Sequence, residues 1–167
     1  YAVRDFNLPE RRYYTKIKIL GDPEYTFYLN GREIGGRRAG DDRHLDLYDV
    51  SAIARTGMNR LLVAVRSANG VGGLSAGVDL GPEVENFVVT ASDWKVFRRW
   101  QASLPLRDSG ERPAAPMLLG QPPAGRWNYL SIRPAEHTRP PTRVVKPRQA
   151  FAFRATLPSV EIRSGVA

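Results

Sequence analysis

The chain is predicted to be all-β: an antiparallel jelly-roll β-sandwich followed by a long Pro/Arg-rich, mostly irregular C-terminal extension. Three observations predict it. Segments rich in β-branched and aromatic residues, several alternating with period 2, recur roughly every 8–15 residues with turn residues between them. Asn30-Gly31 stands between two such segments, and both residues accept the positive φ angles of a type I′ hairpin turn. Ten of the 13 prolines lie at or beyond residue 105. Proline lacks an amide donor and has a fixed φ, so that part cannot build central strands or long helices.

Residues 1–12 read as an N-terminal extension and 13–100 as the sandwich. Tyr13, Thr15, Ile17 and Ile19 alternate with Tyr14, Lys16 and Lys18, and Gly21-Asp22-Pro23 ends the run. Tyr25 to Leu29 is a second strand, returned through Asn30-Gly31 by Arg32-Glu33-Ile34. A polar loop from Gly35 to Arg43 precedes a strand region at Leu45, Leu47 and Val50. Ser51 to Arg55 fits one helical turn capped by Asp49 or Ser51. Gly57 to Asn59 turns the chain, with Asn59 expected in left-handed geometry. Arg60 to Ser67, apolar on both faces from Leu61 to Val65, reads as a central strand. A glycine-rich loop from Ala68 to Gly73 leads to the alternating Leu74, Ala76, Val78 and Leu80. Asn86 to Thr90 and Trp94 to Phe97 are short last strands, with Trp94 sealing one edge of the core or facing a ligand.

Composition excludes several chemistries. There is no Cys, so disulfides, thiolate zinc sites, iron–sulfur clusters and Cys nucleophiles are ruled out. The two His, His44 and His137, cannot make a multi-His metal centre. The longest apolar run, Leu61 to Val65, is far short of a membrane span. Net charge is +8, and residues 101–167 carry 10 basic against 4 acidic side chains. Such an excess suits acidic or anionic partner surfaces. Nucleic acid is disfavoured: 21 of the 25 basic residues are Arg, they are spread singly, and no nucleic-acid module is present. The chain starts at Tyr1 and not at Met. A processed chain or an internal start is expected, with an extracytoplasmic, periplasmic or exported location beside a membrane.

No catalytic residue, cofactor or metal ligand is assigned, and the chain is expected not to be an enzyme. The carboxylates Asp41, Asp42, Asp46, Asp49, Glu83 and Glu85 read as loop charges, with Asp41, Asp42 and Asp46 the one set that suits a structural calcium. Gly70 to Gly73 lacks the spacing and the following helix of a phosphate loop. Ser51 and Ser75 have no His nearby, and no nucleophile elbow exists. Arg98-Arg99-Trp100 is a sugar-stacking or cation–π site, or a basic-aromatic exit that pins the tail to the domain.

The run Tyr25-Thr26-Phe27-Tyr28-Leu29-Asn30-Gly31-Arg32-Glu33-Ile34-Gly35 resembles the hairpin of galactose-binding-like jelly-roll domains, accessory sandwiches of β-galactosidase-type hydrolases and rhamnosidases. Leu45 to Ile53, Gly57 to Val65, Asn69 to Leu74 and the Thr90, Asp93, Trp94-Lys95 ending are similar to the steps that follow in that family. The resemblance covers about residues 12–97. It implies the fold, and it carries no ligand-contacting residue onto this chain.

Residues 101–167 still hold spaced apolar anchors, unlike a disordered linker. They are expected to form an extended strap that grips other protein subunits through Trp100, Leu118, Trp127, Tyr129, Ile132, Arg143, Phe151 and Phe153, or folds back as an edge strand over 150–156. The function expected is therefore a non-catalytic assembly subunit bracing a larger, membrane-associated complex. The alternative is a carbohydrate-binding module accessory to a glycoside hydrolase.

Overall fold

The computed structural model describes residues 1–10, 13–38, 44–68, 72–81, 84–85, 87–120 and 131–134. Its strands, in chain order, are β1 (Ala2–Leu8), β2 (Lys16–Asp22), β3 (Glu24–Leu29), β4 (Arg32–Arg37), β5 (His44–Asp49), β6 (Gly57–Arg66), β7 (Gly73–Asp79), β8 (Val88–Val89), β9 (Lys95–Val96) and β10 (Ser131–Pro134). They form two five-stranded sheets, ordered β4-β3-β6-β1-β9 and β10-β5-β2-β7-β8. Every pairing is antiparallel except that of β10 with β5. No described segment is helical.

The hairpin forms as its residues dictate. Asn30 and Gly31 take φ of 53° and 84°, and Leu29 pairs with Arg32 across them. Alternation then decides the core. Tyr25, Phe27 and Leu29 of β3 face Ile17 and Ile19 of β2, with Leu61 and Val63 of β6 and Ala76 and Val78 of β7 completing the layer. β6 is the middle strand of its sheet, and both of its faces are buried. Leu61 and Val63 belong to the inter-sheet core, while Leu62 joins Val3, Phe97 and Leu104 in a second cluster outside the sheet.

That second cluster moves both expected boundaries. Residues 2–8, read as an extension, are β1, paired along its whole length with β6. Its apolar residues divide between two buried faces, Phe6 and Leu8 inward and Val3 outward, and Arg4-Asp5 interrupts any legible period. The sandwich also does not stop at residue 100, because Leu104 is fully buried on the same outer face. Within the expected strap, Ser131–Pro134 adds a parallel edge strand to β5, an edge being where a sheet tolerates proline. The edge strand expected over 150–156 lies outside the described residues.

Asn59 is also not where it was expected. Gly57 takes the left-handed conformation, φ 83°, and Asn59 is extended within β6 with its side chain buried. The segment after β5 makes a single turn capped by Asp49: the amides of Ile53 and Ala54 both reach Val50 O, and Asp49 Oδ1 accepts from Ser51 N at 3.0 Å.

Candidate functional site

The outer face of the first sheet carries a cluster of aromatic rings. Alternation turns Tyr28 outward from β3, opposite Leu62 of β6, which in turn pairs with Val3 of β1. Tyr1 precedes β1, and its backbone nitrogen donates to Phe97 O at 2.9 Å. Trp100 lies between the two tyrosines, its ring centroid 5.5 Å from Tyr1 and 5.6 Å from Tyr28. The planes are tilted by 48° and 38°, so the rings form a cradle and not a flat platform. Trp100 remains 43% exposed. Tyr28 Oη donates to Glu33 Oε2 at 3.4 Å. Burial, and then Glu33, push the Tyr28 phenol above its ordinary value, while the Arg66 guanidinium opposes them. Rings, hydroxyls, a carboxylate and guanidinium groups thus share one surface.

A salt-bridged clamp holds this surface in place. Arg60 Nη1 donates to both oxygens of Asp5 at 3.0 and 3.1 Å, and Nε donates to Leu104 O at 3.0 Å. Its Nη2 donates to Asp108, which also accepts from Lys95 Nζ at 2.7 Å. Arg60 therefore ties residues 104–108 across the sheet above Leu62 and Phe97.

A cavity of about 540 Å³ opens beside β1, β7 and β9, lined by Tyr1, Leu74, Trp94, Val96 and the segment Pro116 to Gly120. This lining is chiefly apolar. It suits an apolar occupant better than a polyhydroxylated one, whose hydroxyls would lose water without gaining partners. Trp94 is a core residue with one edge on this cavity, and its Nε1 donates to Val89 O at 2.8 Å.

The polar groups between the sheets are structural. Tyr25 Oη donates to Asp46 Oδ2 at 2.6 Å and lies 3.0 Å from Tyr48 Oη, while Arg37 Nε stands 3.5 Å from the same Asp46 oxygen. Glycines allow close approach here: a Cβ on Gly35 would stand 2.7 Å from Tyr48 Cε1 of the ring, and one on Gly36 2.2 Å from the Tyr25 backbone oxygen. Asp46 is thus committed to a tyrosine and an arginine, which disfavours it as a calcium ligand. Asp41 and Asp42 lie outside the described residues. Among the described residues, no group of three or more His, Asp or Glu could hold a metal ion. No described helix is long and apolar enough to cross a membrane.

Three of the residues expected as strap anchors are described, and they lie on different elements. Trp100 rests on Tyr1 and Tyr28 of its own domain. Leu118 is exposed on the rim of the cavity. Ile132 lies in β10, beside Leu45 in the ladder. Trp127, Tyr129, Arg143, Phe151 and Phe153 lie outside the described residues. Sequence reasoning missed Tyr1 and Tyr28 as companions of Trp100, because only the pairing of β3 and β1 on either side of β6 brings them together.

No protein-family model matches the chain, and no curated protein matches it. Solved structures do. The α-L-rhamnosidase of Streptomyces avermitilis, in complex with L-rhamnose, is 22% identical with a TM-score of 0.63, over 77% of this chain and 14% of that one. The lectin of Pleurotus ostreatus in complex with GalNAc is 17% identical with a TM-score of 0.60, over 78% of this chain and 40% of that one. Its apo form gives 18% and 0.56, over 78% and 39%. The chain therefore spans about one seventh of the rhamnosidase and two fifths of the lectin. The likeness is one of architecture: two facing β-sheets, antiparallel apart from the β10–β5 pair.

Proposed function

We propose that the chain is a non-catalytic carbohydrate-binding module, accessory to a larger protein that acts on glycans. The observation that carries this reading is the half-exposed Trp100 held between Tyr1 and Tyr28. An indole fixed by its neighbours offers a sugar ring a stacking surface at little entropic cost. The Tyr28 hydroxyl and the Glu33 carboxylate supply hydrogen-bonding groups beside it. Similarity in fold to a rhamnosidase solved with L-rhamnose and a lectin solved with GalNAc supports the reading.

A glycan array probed with the full chain, followed by calorimetry, tests it. Trp100→Ala is expected to weaken binding at least about tenfold, or about 1.4 kcal/mol. Circular dichroism and the unfolding midpoint show whether the variant keeps its fold. Trp100→Phe, which keeps a ring, recovers part of the affinity. Absence of any glycan ligand, or unchanged affinity in a folded Trp100→Ala, refutes the proposal.

A second feature favours a docking role alongside this one. Met117, Leu118 and Leu119 are 83%, 62% and 56% exposed in succession at the rim of the apolar cavity. Aspartate at Leu118 would abolish association of the module with a neighbouring protein surface while leaving glycan binding intact. Retained association would refute the docking role.

A further inference from the structure

We infer that the ligand of the Trp100 cradle is an acidic glycan, one that bears uronate carboxylates or sulfate esters. The inference rests on the carbohydrate-binding reading and adds its chemical class. The arginines of this face fall into two groups. Arg60 is consumed by Asp5, Asp108 and the Leu104 carbonyl. Arg66, Arg98 and Arg99 differ: no hydrogen bond or ion pair of their side chains is present among the described residues. Arg98 and Arg99 are exposed and immediately precede Trp100, and Arg66 is close enough to act on the Tyr28 phenol.

Arg60 thus has its carboxylates, while no ion pair engages Arg66, Arg98 or Arg99 among the described residues. Glu33, beside the tyrosine–tryptophan pair, accepts the Tyr28 hydroxyl, and Glu24 is the cross-strand neighbour of Arg66. Glu111 acts on the Tyr1 nitrogen. Arg98 and Arg99, exposed and paired with none of these carboxylates, make the Trp100 end of the cradle positive. Guanidinium matches the two oxygens of a carboxylate or sulfate in a fork that ammonium cannot. An aromatic stacking surface with forked cations at its rim is complementary to a sugar ring carrying an anionic substituent.

The test measures binding of the full chain to polygalacturonate, to a sulfated galactan, to a neutral galactan and to a single-stranded polynucleotide, at low and at raised salt. At least one acidic glycan is expected to bind ten times more tightly than neutral galactan, and the advantage is expected to shrink as salt rises. Whichever acidic polymer binds identifies carboxylate or sulfate as the group recognised. Arg98→Ala/Arg99→Ala is expected to bring the acidic polymers down to the neutral level. The charge-matched control Arg55→Ala/Arg107→Ala, at exposed positions outside the cradle, should not. Trp100→Ala must weaken the acidic polymers as well. Equal binding of neutral and acidic glycans overturns the inference but leaves the carbohydrate reading standing. So does a polynucleotide bound as tightly as the acidic glycans, whereas acidic binding that ignores Trp100 overturns the inference and the carbohydrate reading together. Binding of no glycan at all overturns the carbohydrate reading itself.

Discussion

Asn30 Nδ2 donates to Asn59 Oδ1 at 2.9 Å, joining the β3–β4 hairpin turn to the start of β6. The pairing is reciprocal through the backbone, since Asn30 Oδ1 accepts from Arg60 N at 3.0 Å. Asn59 then closes the preceding loop, its Nδ2 donating to Arg55 O at 2.6 Å and Gly57 O at 3.0 Å while its Oδ1 accepts from Arg55 N at 3.0 Å. Both ends of this amide are satisfied in a buried site, so removing it strands several backbone groups at once. Asn59→Ala is expected to cost about 2–4 kcal/mol in urea unfolding. Asn59→Asp is expected to cost at least as much despite its matching shape, because a carboxylate would face the carbonyls of Arg55 and Gly57. An aspartate variant as stable as the parent would show that the amide donors contribute nothing.

The Tyr25 phenol gives the fold an alkaline limit. Burial raises its pKa well above the ordinary 10.0, and Tyr48 and Asp46 push it further the same way. A proton held more tightly in the folded chain stabilises the fold below the unfolded value. That stability declines as pH climbs beyond about 10, where the unfolded phenol ionises first. The unfolding midpoint is therefore expected to fall above pH 10, and Tyr25 should form phenolate only as the chain unfolds. Tyr25→Phe is expected to flatten this decline and to cost about 1.5–3 kcal/mol at neutral pH by deleting a hydrogen bond to a carboxylate. If the ultraviolet phenolate signal of Tyr25 appears in the folded protein near pH 10, the account is wrong.

Much of the sandwich was legible because it rests on local chemistry. Asn30-Gly31 can adopt angles closed to most pairs, and the unbroken Leu61 to Val65 run fits a strand buried on two faces. What was not legible depended on non-local pairing. β1 hides its period because Val3 and Phe6 serve different clusters on opposite faces of one sheet. Leu104 reads as a stray apolar residue in a Pro-rich stretch until its carbonyl accepts from Arg60, 44 positions earlier. Trp100 was visible as an aromatic among arginines, but its flanking rings come from residues 1 and 28. Only the strand order β3-β6-β1 makes neighbours of those two.

Arg60 is expected to be the residue that keeps the 97–108 segment on the sheet. Arg60→Ala leaves the part-buried Asp5 with only Lys95 at 3.6 Å and the Leu104 carbonyl without its donor, at a cost of about 2 kcal/mol. Asp108, at 41% exposed, adds only a surface-pair fraction. Hydrogen exchange should then quicken at Phe97 and Leu104 well before the core of β6 responds. Asp108 also sets an acid signature. Burial pushes its carboxyl up, but hydrogen bonds from Lys95 and Arg60 together outweigh this and hold it below its ordinary 3.8. Its contribution is therefore present above pH 3.8 and is lost as pH falls through the lower folded value. Asp108→Asn should be slightly less stable than the parent at neutral pH and lose less stability below that point. Parallel acid profiles for the two proteins would exclude the pairing as a contributor.

Gly31 separates two costs that a side chain at one position would carry. Its φ of 84° is strained for any residue with a Cβ, and a Cβ there would also stand within 2.4 Å of Leu106 Cδ2. Leu106 is 68% exposed, so its terminal methyl can swing aside at small cost. The left-handed backbone cannot relax so cheaply, since the two-residue turn requires it. Gly31→Ala is therefore expected to cost about 1–2 kcal/mol, set by conformation. Leu106→Ala in the same chain should recover little, with a coupling energy below about 0.5 kcal/mol in a double-mutant cycle. Gly31→Asn, whose side chain tolerates this region, should recover more than Leu106→Ala does. If Leu106→Ala restores most of the lost stability, steric conflict and not backbone strain governs the turn.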